Sequence, residues 1–101
     1  MLVVAGYVKL DPAKVETATE AARAVMAATR QEEGCISYTF SADLDEPGHF
    51  HIFEEWESQA ALDAHFKAPH MAEFQKAMGG FGVSEIRVQR YEVGQVDKLL
   101  G

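Results

Sequence analysis

Two histidines flank a proline in the run Ala64-His65-Phe66-Lys67-Ala68-Pro69-His70-Met71. An imidazole changes charge near neutrality, so one held against an acidic phenol, or against a carbon flanked by carbonyls, can remove its proton. His65 follows Leu62 by one helical turn and adjoins Phe66, which aims it at an apolar cleft; His70 lies just beyond the bend at Pro69. The competing reading makes His65 a helix-surface or satisfied structural histidine and His70 a cap for the helix that resumes after the proline. Glu54 and Trp56 form the second pair. Alternate residues of a strand point the same way, so this carboxylate and indole project together about 6 to 7 Å apart. A desolvated Glu54 would have a raised pKa and could accept a proton, while Trp56 could stack on a flat ring or simply pack in the core. Glu54 could equally pair with Arg87 or Arg90 across the sheet.

Other reactive side chains are less well equipped. His49 and His51 alternate onto the face opposite Trp56, where two imidazoles can in principle hold a metal, but no third ligand stands at a suitable spacing. No metal is expected. Cys35 has Glu32 and Glu33 beside it where a nucleophilic thiol needs a cation, so it reads as a small buried hydrophobe. Gly79-Gly80-Phe81-Gly82 lacks the preceding strand and following helix of a phosphate loop and reads as a helix end and turn. Tyr7 either lines the cleft from the first strand or faces a second subunit, Tyr38 is a core hydroxyl, and Met71, Phe74 and Met78 share a helix stripe that suits a core or a pocket wall.

The elements that must position these groups are legible from periodicity. Leu2 to Leu10 is β-branched and apolar on both faces, a strand buried on each side. Asp11 caps a helix with Pro12 at its first position; Val15, Ala18, Ala22, Val25, Met26 and Thr29 form its apolar face, and Gly34 ends it. Cys35 to Asp43 alternates, with Ile36, Tyr38, Phe40 and Ala42 on one side and Cys35, Ser37, Thr39 and Ser41 on the other. Asp45-Glu46-Pro47-Gly48 is turn chemistry, and Phe50 to Trp56 is the antiparallel hairpin partner. Ser58 caps a helix that runs to about Ala68, breaks at Pro69 and resumes over Met71 to Met78. Val83 to Val93 is a fourth strand. The order is βαββαβ, the split βαβ arrangement of a ferredoxin-like α+β domain with an antiparallel sheet, spanning residues 1–93, with a tail over 94–101.

Helices cover one face of such a sheet. Val3, Val4, Ala5, Val8, Phe50, Ile52, Phe53 and Trp56 cannot all face two helices, so the pattern predicts a homodimer that buries the second face; the apolar Val96, Leu99 and Leu100 of the tail suit docking on the partner. At 101 residues the chain holds one core, burying roughly 60 to 70 per cent of its unfolded surface. Sixteen acids against nine bases give a net charge of −7 with no basic patch, which excludes nucleic acid and anionic bilayers as partners. A single cysteine permits no internal disulfide, and the N-terminal run is too short for a membrane span and lacks a signal peptide's basic start, so a cytoplasmic location is expected.

The run from Glu33 to Tyr38, together with Glu54-Glu55-Trp56-Glu57-Ser58 and Ala61 to Met71, resembles the antibiotic biosynthesis monooxygenase domain, and the resemblance covers nearly the whole chain. It implies a dimer whose sheets meet as an α+β barrel, each subunit keeping a cleft between sheet and helices. It also implies a quinol-type monooxygenase without flavin or metal, in which a hydroquinone, anthrone or similar electron-rich aromatic is deprotonated and reacts with dioxygen as cosubstrate. On that reading His65 is the general base or holds the substrate hydroxyl, with His70 and Glu54 as further catalytic candidates. Trp56, Phe66, Met71 and Phe74 are pocket walls, and Tyr7 is a rim contact. Haem-degrading relatives carry an asparagine, a tryptophan and a ligating histidine where this chain has Tyr7, His65 and Gln75, so haem degradation is not expected. Two alternatives remain: an isomerase of a small phosphorylated signal molecule, whose relatives share a bend like Ala68-Pro69-His70, and a non-catalytic dimeric binding or stress-response domain.

Overall fold

Four antiparallel strands form one sheet in the order β2-β3-β1-β4, with β1 spanning Leu2–Lys9, β2 Cys35–Ala42, β3 His49–Trp56 and β4 Glu85–Glu92. Three α-helices connect them: α1 over Val15–Thr29 joins β1 to β2, and α2 over Gln59–Phe66 and α3 over Pro69–Met78 lie between β3 and β4. This computed structural model describes residues 1–101. The architecture is the expected ferredoxin-like α+β fold. The β1–β4 approach is close because Gly6 has no side chain: a Cβ there would stand 1.9 Å from the Arg87 carbonyl oxygen.

The sheet's inner face carries Leu2, Val4, Val8, Phe50, Ile52, Glu54, Trp56 and Tyr38, all buried beneath the helices. Thus Val4, Val8, Phe50, Ile52 and Trp56, five of the eight residues expected to need two covers, share the one face. Val3, Ala5 and Phe53 are left on the outer face, among Tyr7, Lys9, His49, His51, Arg87, Gln89 and Tyr91. The interior has two lobes. Leu2, Val4, Val25, Tyr38, Trp56 and Leu62 pack at one end, and Val8, Leu10, Ala18, Phe50, Ile52 and Phe81 at the other, with Phe40 against both.

Local geometry departs from the periodic reading at four places. Asp11 accepts from the Ala13 amide and caps a 3-10 turn, Pro12–Lys14, ahead of α1. The helix ends at Thr29, five residues before Gly34, because the Gln31 and Glu32 amides bond Ala28 and Thr29 carbonyls in a tightening last turn. Cys35 pairs with Trp56 and Ser37 with Glu55, so Ile36 is the extra residue of a bulge; this turns Cys35 towards the core and leaves Ile36 exposed, the reverse of simple alternation. Pro69 does not interrupt a helix but opens α3 at its first position, where its missing N–H costs nothing, and His70 falls in that first turn without acting as a cap.

Candidate functional site

Three elements bring Glu32, His65 and His70 together. The tightened turn after α1 carries Glu32 beneath the α2–α3 bend. Gly34 then reverses the chain into β2 at φ +85°, and a Cβ there would stand 2.5 Å from the Ala61 Cβ, so α2 rests directly on this turn. Ser58 accepts from the Ala61 amide and fixes the start of α2, whose inward positions are Leu62 and His65. His65 Nδ1 lies 2.8 Å from Glu32 Oε2, and His70 Nε2 lies 2.6 Å from the same oxygen. If both imidazoles are neutral, each donates an N–H to the carboxylate, leaving lone pairs on His65 Nε2 and His70 Nδ1. His65 is 1% exposed, whereas the Glu32 and His70 side chains are 16% and 24% exposed, His70 being the most open of the three.

Aromatic rings enclose His65: Trp56 at 4.9 Å between centroids, Tyr38 at 5.3 Å and Phe66 at 5.6 Å. Beside them the Trp56 indole donates to Glu54 Oε1 at 2.9 Å, and neither Arg87 nor Arg90 pairs with that carboxylate, since β1 lies between β3 and β4. Burial raises Glu54 to a pKa of about 7; the indole N–H pulls it down and the charge of Glu32 pushes it up. Burial likewise raises Tyr38 and Cys35, and the Glu32 and Glu54 charges add to both shifts. This end of the interior is therefore rich in negative charge and hostile to a thiolate or phenolate.

Two hollows lie nearby, one apart from the cluster and one walled by His70 itself. A wholly apolar cavity of only about 20 Å³ lies in the far lobe, against Phe40, Phe50, Phe74, Met78 and Phe81. A surface groove between α1 and α3 is floored by Ala21, Ala24, Val25, Ala28 and Ala77 and walled by His70, Glu73 and Phe74. Phe74 borders both, and its ring stands 5.4 Å from that of Phe40. The groove exists because α1 and α3 present alanines where they face each other.

The structure thus gathers His65, His70, Glu54 and Trp56 at one end and sets Phe74 at the groove. Trp56 is fully buried and bounds neither hollow; Met71 is half-buried. Phe66 is exposed, and Tyr7 lies on the outer face, where its hydroxyl donates to Glu85. Glu32 is the residue that sequence reasoning passed over. It stands 33 and 38 positions from its two partners, and no motif spacing reports such a contact.

A helix-covered antiparallel sheet with histidines at the α2–α3 bend defines a ferredoxin-like domain with a site between its helices. The profile of the family described as antibiotic biosynthesis monooxygenase matches residues 1–77, and the chain belongs to that family. It is 34% identical over 98 residues to "Uncharacterized protein sll1783" of Synechocystis, covering 97% of this chain and 67% of that one. It is 30% identical over 74 residues to "Putative monooxygenase YcnE" of Bacillus subtilis, covering 73% and 78%. A solved structure described as a "putative antibiotic biosynthesis monooxygenase" from Deinococcus radiodurans superposes with a TM-score of 0.93 at 29% identity over 100% of both chains. The resemblance read from Glu33 to Tyr38 and Glu54 to Met71 is borne out. No helix is long and apolar enough to cross a membrane.

Proposed function

We propose that this protein is a monooxygenase of a flat, electron-rich aromatic hydroxyl compound such as a quinol or anthrone, with dioxygen as cosubstrate and neither flavin nor metal in the reaction. The substrate is its own reductant: it gives up two protons and two electrons, one oxygen atom enters the ring, and the other leaves as water carrying both protons, the first of which passes through the protein's base. The protein's part is to bind the ring, take the proton and keep bulk water from the anion.

The observation that carries this reading is the His70 imidazole, partly exposed at the wall of an alanine-floored groove while its Nε2 is held by Glu32. A carboxylate so placed fixes the tautomer and stabilises the imidazolium that forms. His70 Nδ1 is then the atom that receives the substrate proton, Glu32 is the positioning residue, and His65, sealed behind it, holds Glu32 in place. The ring lies over Ala24, Ala28 and Ala77 with Phe74 at its edge. A phosphorylated ligand is disfavoured there, since Glu73 and Glu32 stand close and no lysine or arginine lines the groove.

The same proposal includes a homodimer. Phe53 and Tyr91 are about half exposed on the outer face, and Val96, Leu99 and Leu100 of the tail are more exposed still, apolar surface that a second copy would cover. The test is oxygen uptake with a panel of menaquinol-like quinols, naphthols and anthrones. His70→Asn is expected to lower kcat about 10² to 10³-fold with little change in KM, and Glu32→Gln to lower it less. Oxidation that proceeds equally in His70→Asn, or no uptake above the buffer rate with any of the panel, overturns the reading.

A further inference from the structure

We propose that Glu32, His65 and His70 form a binding site for one first-row divalent cation of the zinc class. Their ligand atoms, a carboxylate oxygen and two imidazole nitrogens, all lie within 4.8 Å of one another. Two nitrogens and one oxygen are a donor set that zinc and its first-row neighbours accept, and three protein ligands leave a fourth position open. Donors 2.0 to 2.2 Å from a tetrahedral ion stand about 3.4 Å apart. The two contacts of 2.8 and 2.6 Å must therefore open, and the two nitrogens must settle at a similar separation. Glu32 lies in a turn and His70 in the first turn of α3, so both can shift without breaking a helix interior.

Charge argues in the same direction. Glu32 and Glu54 lie at one end of the interior, and neither has a lysine or arginine at ion-pairing distance; the imidazoles are Glu32's only partners of basic type. A dication between Glu32 and the imidazoles would offset negative charge that the fold leaves uncompensated. The aromatic wall of Trp56 and Tyr38 limits water around it and strengthens each bond.

Occupancy has a chemical consequence. A metal takes the lone pair of His70 Nε2, so the ring's single proton must sit on Nδ1; His65 changes tautomer in the same way, and no net proton is released from neutral rings. The nitrogen assigned above as proton acceptor then carries a proton. The metal-bound form is accordingly inactive in the base-assisted reaction, and the site acts as a metal-sensitive brake. The binding claim itself is independent of whether the groove takes an aromatic substrate.

Tag-free full-length protein, stripped with a chelator, is titrated with Co²⁺ and read by its visible absorption, then with Zn²⁺ by calorimetry. The expected result is one equivalent per chain, Zn²⁺ displacing Co²⁺, and at least tenfold weaker binding in Glu32→Gln and in His70→Ala. His51→Asn serves as the control, because His51 pairs with Asp43 on the outer face and should bind as wild type does. Circular dichroism establishes that each variant is folded. Stoichiometric binding that survives both substitutions, binding lost only in His51→Asn, or no binding at all overturns the proposal. Because absorption is read without substrate, its outcome stands apart from that of the oxygen-uptake assay.

Discussion

At the scale of single residues, the strongest tension in the molecule is Glu54, a carboxyl buried beside Trp56, Tyr38 and Val4. Its pKa rises from 4.5 to about 7, chiefly through burial. The folded chain thus binds this proton more tightly than the unfolded chain does, and the associated stability is complete below about pH 4.5 and is lost as the pH climbs through 7. At about 1.4 kcal/mol per pH unit the loss is of order 3 kcal/mol. Glu54→Gln keeps an oxygen for the Trp56 indole and removes the titration. Urea unfolding between pH 4.5 and 8 is expected to show the wild type weakening with rising pH, and the variant weakening less by that amount. Parallel curves for the two proteins would mean that the carboxyl is ionised in the fold throughout.

At the scale of elements, two short features hold α2 where His65 can reach Glu32. The Ser58 hydroxyl caps the helix at the Ala61 amide, and Ser58→Ala is expected to cost about 1 kcal/mol in chemical denaturation. Gly34 matters more. At φ +85° an alanine is strained, and its methyl would collide with the Ala61 side chain. Gly34→Ala is expected to destabilise the fold by about 2 kcal/mol and to push α2 away from the turn that holds Glu32. Thermal melting measures the first effect. Faster hydrogen exchange at the amides of Leu62 to Phe66 reports the second, and unchanged exchange there would show that α2 is anchored elsewhere.

At the scale of the whole molecule, the sheet is covered on one side only. Every residue of β4 is exposed, Ile86 and Val88 on the helix side and Tyr91 on the other, and the tail beyond it carries three apolar residues. A strand bare on both faces and unpaired along one edge is what a second copy would bury. Light scattering is expected to give a mass near twice 11.1 kDa. Phe53→Lys combined with Tyr91→Glu should halve it while leaving the circular dichroism spectrum of the subunit intact. A monomeric wild type at micromolar concentration would remove the dimer from the proposal.

Periodicity alone determined the order of strands and helices and the faces that Phe50, Ile52, Glu54 and Trp56 share and that Tyr38 and Phe40 share, while it left His65 open between the interior and the helix surface. The shared faces were legible because a side chain's direction within an element follows from its own backbone, with a repeat of 2 or 3.6 residues. The bulge at Ile36 escaped because one inserted residue inverts the alternation around it without altering composition. Only the tertiary structure decided that Glu32 joins both histidines, that His70 and not His65 faces the groove, and that alanines on α1 and α3 leave the groove open. Those outcomes depend on how α1, α2 and α3 settle over the sheet, a balance of contacts between residues more than thirty positions apart, which no local pattern in the chain records.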